Sequence, residues 1–235
     1  MTTRFFSFGC SLTNYFWFTW ADIVGANFDK FYNLGRGGVS NFYIFCRLME
    51  IDERYNFNPD TDTVAIMTTG INRFSFMTDD VHWKTSGDVG DHDYTITGWS
   101  DDWAIYQSWI SILSMKKFLE AKNIKHFFLK GLDFSHYIEN KSNLFKVGKE
   151  SLSRLRQIDA ILDVKSPLFS DNKVKHQDQL NDGHPRPSNH LDYVEKELPI
   201  FFTDKSMKRY NFLYEGFDTL PYEEYVELLK RKISK

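Results

Sequence analysis

Arg4-Phe5-Phe6-Ser7-Phe8-Gly9-Cys10-Ser11-Leu12-Thr13 is the stretch whose reading settles the architecture. Residues 4–8 are aromatic and favour extended backbone, which predicts a first buried strand. Gly9 permits a sharp turn, and residues 10–13 stand where a helix is expected to begin. A serine at a strand-to-helix turn sits at the carboxyl end of a parallel sheet, where open α/β folds place their ligands. Backbone N–H groups at a helix start point outward and can stabilise an anion. Ser11 is therefore a candidate nucleophile, although a serine in this position also reads as a plain helix N-cap.

Working outward, residues 13–24 are aromatic with few charges and predict a buried first helix ending near Gly25. A short strand at 30–34 leads into Gly35-Arg36-Gly37-Gly38-Val39-Ser40-Asn41. Glycines at this density let a main chain approach a ligand closely, but the loop lacks the Lys-Ser/Thr ending of a phosphate-binding P-loop. A helix is expected from about 41 to 54, then a buried strand at 63–68 that ends in Thr69-Gly70-Ile71-Asn72-Arg73. Asn72 is thus a candidate amide donor just past a strand end, a position asparagine also takes for local turn reasons.

From 77 to 102 the pattern dissolves into Asp, Gly, His, Trp and Tyr, as in a functional loop or insertion. His82, Trp83, Tyr94 and Trp99 either line one wall of a pocket or pack among themselves. Residues 103–122 predict a long helix whose apolar face includes Trp103, Tyr106, Ile110 and Leu113. A fourth strand is expected at 125–132 and a helix at 151–162. Asp182-Gly183-His184-Pro185-Arg186-Pro187 is a polar loop, with Pro187 suited to the first turn of a helix through His190, Leu191 and Val194. The tail from Asp204 carries one amphipathic helix marked by Tyr222, Tyr225, Val226 and Leu229, with mixed charges that fit a packed terminal helix rather than a membrane anchor.

The 235 residues suit one α/β domain with room for an insertion and a tail. A formal charge of −3, without a basic block, gives no nucleic-acid footprint. The 22 Phe and 12 Tyr predict an aromatic core, or a surface that stacks on sugars or bases. Cys10 and Cys46 make no disulfide framework, which fits a reducing compartment. No secretory signal and no bilayer-length apolar run are visible, so the expectation is a cytoplasmic protein, or a phage- or virion-associated one released by lysis, without a membrane partner.

Alternating strands and helices imply a parallel sheet, and four segments then fall on one edge: Ser11, Gly38, Asn72, and Asp182 with His184. That set comprises a nucleophile, two oxyanion donors, and a base with an orienting acid. A serine alkoxide does not form unaided, so a histidine must take the proton during attack, and a carboxylate can hold its tautomer. His190 is a rival base, read as a surface helix histidine. A metal site from His176, Asp182, His184 and His190 lacks recognised ligand spacing, and no cofactor is expected.

Gly9-Cys10-Ser11-Leu12-Thr13 resembles the first block of the SGNH/GDSL hydrolases, Gly-Asp-Ser-Leu-Thr. Residues 33–40 resemble the second block, Gly70-Ile71-Asn72 the third, and Asp182-Gly183-His184-Pro185 the last. The resemblance spans roughly residues 4–200. It implies a flavodoxin-like three-layer α/β/α fold with a central parallel sheet of about five strands. It also implies metal-free acyl-ester hydrolysis, with Ser11 as nucleophile, Gly38 and Asn72 as oxyanion donors, His184 as base and Asp182 as acid partner. Cys10 replaces the usual Asp and is itself a possible nucleophile, and only Gly183 separates Asp182 from His184. The domain is expected at 1–203, with a helical extension at 204–235 packed on it. The substrate expected is a small-molecule or glycan ester; the rival expectation is an inactive glycan-binding or virion-associated protein on the same fold.

Overall fold

A computed structural model describes residues 1–71, 73–77, 82–85, 100–134, 138, 148–168, 184–217 and 219–233. Its strands are β1 (Arg4–Phe8), β2 (Lys30–Asn33), β3 (Asp62–Thr68), β4 (Ser75–Met77), β5 (Trp83–Thr85) and β6 (Lys125–Lys130). Its principal helices are α1 (Trp20–Gly25), α2 (Asn41–Tyr55), α3 (Asp101–Ala121), α4 (Lys149–Ile161), α5 (Pro187–Glu197), α6 (Asp204–Tyr214) and α7 (Tyr222–Ile233).

Four strands form one parallel sheet in the order β2-β1-β3-β6, flanked by helices. An isolated parallel bridge between Leu129 and Val164 extends the pairing beyond β6, where a fifth strand would lie. The chain leaves β1 to build β2 on one side, then returns to build β3 on the other. The crevice above the carboxyl ends of β1 and β3 is therefore the switch point at which open α/β sheets bind ligands.

Phenylalanine supplies much of the core. Strand alternation sends Phe5 and Phe6 to opposite faces of the sheet. Phe5 stacks on Phe28, Phe31 and Phe127, while Phe6 meets Tyr32, Tyr55 and Phe57. Such pairs add about 0.5–1.5 kcal/mol each beyond burial of their area. At the amino edge Arg4 grips the buried Asp62 carboxylate through Nε at 2.7 Å and Nη2 at 2.5 Å, tying β1 to β3. The opposite edge is left for chemistry.

Several expectations change. Helix α1 starts at Trp20, not at residue 13; Thr19 is its cap, and residues 14–18 run in irregular backbone. The face of α3 turned inward is Ala104, Ile105, Ser108, Ser111, Ile112, Met115 and Leu119. Trp103 (49% exposed), Tyr106 and Ile110 (38%) face outward instead, and the Arg154 guanidinium lies over Tyr106 and Trp109. Within the 77–102 stretch, β5 pairs antiparallel with β4. Trp83 packs edge-on against Phe42 and Tyr43 of α2, while Tyr94 and Trp99 lie outside the described residues.

The tail holds two helices rather than one. Tyr210 and Leu213 of α6, with Tyr225 and Leu229 of α7, belong to the same apolar cluster as the sheet. No helix among the described residues is long and apolar enough to cross a membrane.

Candidate active site

The turn after β1 is built from small, specific contacts. Thr13 N and Asn14 N both donate to the Cys10 carbonyl, at 2.9 and 3.2 Å, so residues 10–14 close one tight turn with Ser11 inside it. Ser11 therefore lies on an isolated turn and not at a helix N-terminus, so the helix N-cap reading is set aside. Thr13 O accepts from Asn33 Nδ2 (2.8 Å) and Thr19 Oγ1 (2.6 Å), which fixes the end of the turn. A side chain at Gly9 would stand 2.1 Å from Thr13 Oγ1 and 3.1 Å from the Met67 carbonyl. Any larger residue there forces Thr13 to shift.

The glycine-rich loop lies against this turn. Arg36 N donates to Gly9 O at 3.0 Å, and Asn14 Nδ2 donates to Gly35 O at 3.0 Å. A Cβ on Gly37 would fall 3.9 Å from that of Ser11. Gly38 has φ of 72°, in the left-handed region that glycine enters without strain. Ser40 then caps α2 by accepting from Tyr43 N.

At the end of β3, Asn41 acts as a buried clamp. Its Oδ1 accepts from Thr69 N (3.0 Å), and its Nδ2 donates to Thr69 O (3.3 Å) and Ser108 Oγ (3.2 Å). Ser108 in turn donates to Ile71 O at 3.1 Å. This network fixes the backbone up to the residue before Asn72. Asn72 itself lies outside the described residues.

Across the switch point comes the central contact. His184 Nε2 lies 2.8 Å from Ser11 Oγ, although 173 positions separate the two residues in sequence. Two side chains from residues 14–18 hold this histidine's segment. The Tyr15 ring stacks on the imidazole with centroids 4.0 Å apart, and Trp17 Nε1 donates to Pro185 O at 2.9 Å. Ser11 itself is 9% exposed, an almost sheltered hydroxyl. Cys10, the rival nucleophile, is fully buried.

His190 departs from expectation. It is 1% exposed on the inner side of α5, and burial, with the His184 charge as a smaller cause, pulls its pKa from 6.5 to about 3. Burial removes it from the surface role, and a base that weak is a poor proton acceptor at neutral pH. Asp182 and His176 lie outside the described residues. Among the described residues no group of three metal-ligating side chains occurs.

Asn33, Asn41 and Tyr15 were not singled out from sequence. A weak signal exists for the two asparagines: each flanks the glycine-rich loop, where side-chain amides commonly serve as backbone clamps. Tyr15 carried no distinguishing signal among so many aromatics.

Together these features define an α/β protein with a serine–histidine pair at the switch point of a parallel sheet. Among solved structures, the chain is similar to a Bacteroides fragilis protein described as a "putative acylhydrolase". That similarity covers 84% of this chain and 85% of the other, at 15% identity and a TM-score of 0.47. No protein-family model and no curated protein matches the chain.

Proposed function

We propose that this protein is a serine esterase that hydrolyses a small acyl ester, with an acetyl ester on a carbohydrate as the substrate class. The observation that carries the proposal is the 2.8 Å contact between Ser11 Oγ and His184 Nε2. That distance is the hydrogen-bond reach a nucleophile needs to its base.

Ser11 Oγ attacks the ester carbonyl carbon while its proton passes to His184 Nε2. The tetrahedral oxyanion is met by the amides of Ser11 and Gly38 and by the Asn72 side chain. One such donor is worth about 10²–10³ in rate. On collapse the carbon–alkoxy bond breaks, Nε2 returns its proton to the departing alcohol, and the acyl group remains on Ser11. Water then attacks the acyl-serine with His184 again taking a proton, which releases the acid and restores the hydroxyl. Asp182 is assigned to orient the imidazole and stabilise its cation, a role open to a carboxylate two residues away in the chain.

A fluorophosphonate should label the protein at Ser11, and both Ser11→Ala and His184→Ala should abolish labelling. Aryl acetate turnover should fall on the order of 10³-fold or more in each variant, with unchanged circular dichroism. Equal turnover by Ser11→Ala and wild type would reject the esterase.

A further inference from the structure

A cleft of about 380 Å³ opens between residues 14–18 and the C-terminal helix α7. One wall is the aromatic run 15–18; the other is Val226 and Leu229, with Asn14, Asp22 and Lys230 as its polar lining. Its size lies in the range that encloses a small ligand, and a mostly apolar lining with a few polar groups is how such sites are built. Phe16 is 59% exposed at this cleft.

Position relative to the base decides what the cleft holds. Tyr15 both lines the cleft and stacks on His184, so a single residue joins the cleft to the imidazole. In ester cleavage the imidazole hands its proton to the departing oxygen, which must sit beside Nε2. The group attached to that oxygen then extends past the imidazole, whereas the carbonyl oxygen faces the amides of the glycine-rich loop.

Resting on the esterase reading, we infer that this cleft binds the alcohol portion of the ester, a ring with an apolar face such as a sugar. The C-terminal helix thereby becomes part of the substrate site rather than a structural appendage. Phe16 and Val226 act as specificity residues, because each meets only the ring and not the reacting atoms.

The test compares a ring placed on either side of the ester: cyclohexyl acetate against methyl cyclohexanecarboxylate, with methyl acetate as the common reference. In Phe16→Ala, and in Val226→Trp, which fills the cleft, kcat/KM for cyclohexyl acetate relative to methyl acetate should fall about tenfold or more. The corresponding ratio for methyl cyclohexanecarboxylate should hold. A fall confined to the acyl-side ratio, or no fall in either, overturns the assignment. Binding of cyclohexanol to the Ser11→Ala protein, followed by calorimetry, separates this from failure of the esterase. Weaker binding on adding Phe16→Ala supports the cleft even where no ester is turned over. Binding that is absent or indifferent to Phe16 rejects the cleft while leaving labelling of Ser11 in the parent protein untouched.

Discussion

Tyr15 lies face-on against His184, with ring centroids 4.0 Å apart and planes inclined by 14°. The same segment bonds Pro185 O through Trp17, so the base is held on its face and along its backbone. A face-stacked aromatic ring favours the imidazolium that forms as serine attacks, by about 0.5–2 kcal/mol. Replacing Tyr15 by Leu should lower the affinity of His184 for its proton. The acid limb of kcat/KM should then move to lower pH. Plateau kcat should fall about tenfold as the ring loses its orientation. Tyr15→Phe keeps the face and should retain the parent profile. A profile unmoved in Tyr15→Leu would show that the stack does no more than pack.

The Asn41 clamp predicts a coupled loss of stability and activity. Asn41→Ala strips partners from Thr69 N, Thr69 O and Ser108 Oγ, all buried beside the carboxyl end of β3. Each unmet buried group costs about 1–3 kcal/mol, so a total loss of about 3 kcal/mol or more is expected in urea unfolding. Because the clamp ends next to Asn72, kcat should fall while KM changes little. An active variant of parent stability would show that the 69–71 backbone is held by other means.

Burial of neutral His190 makes the fold sensitive to acid. Its pKa is about 3 in the folded chain, against 6.5 ordinarily. Between those values the unfolded chain binds the extra proton and the folded chain does not. Stability therefore falls as pH drops from about 6.5 toward 3, with a slope approaching about 1.4 kcal/mol per unit from this group. Above pH 6.5 both states are neutral and the contribution vanishes. His190→Leu should flatten the dependence of the urea midpoint on pH between 6 and 4, whatever its effect at pH 7. An unchanged slope would assign the acid sensitivity elsewhere.

What the sequence made legible followed from local rules. Continuous apolar runs marked β1, β3 and β6, and Pro187 marked the start of α5, because burial on both faces and proline geometry leave local traces. Ser11 and His184 were legible as candidates, but their 2.8 Å approach depends on packing across the sheet. Residues 14–18 looked helical by composition, yet the Tyr15 and Trp17 side chains make tertiary contacts to His184 and Pro185, which override propensity. The inner face of α3 is lined partly by Ala104, Ser108 and Ser111, small residues that give almost no hydrophobic signal. The stronger apolar signal comes from Trp103, Tyr106 and Ile110, which lie on the outer face. His190 is polar by type and buried by position, a combination that only the fold reveals.

Gly9 offers the sharpest test of the turn that carries Ser11. A methyl group there meets Thr13 Oγ1 at 2.1 Å and Thr13 Cβ at 2.9 Å, and it also presses on the Met67 carbonyl at 3.1 Å. The Thr13 side chain can be trimmed, whereas the Met67 carbonyl belongs to β3 of the sheet and would have to give by a few tenths of an ångström. Gly9→Ala should cost about 1–3 kcal/mol, the usual range for overpacking a filled interior. The strain falls within the turn, so fluorophosphonate labelling of Ser11 should slow more than stability alone accounts for. Adding Thr13→Ala removes the worse of the two clashes, and the double variant should recover part of both the urea midpoint and the labelling rate. Recovery of stability without recovery of labelling would show that the Thr13 side chain itself helps to aim the serine; no recovery of either would place the strain at Met67.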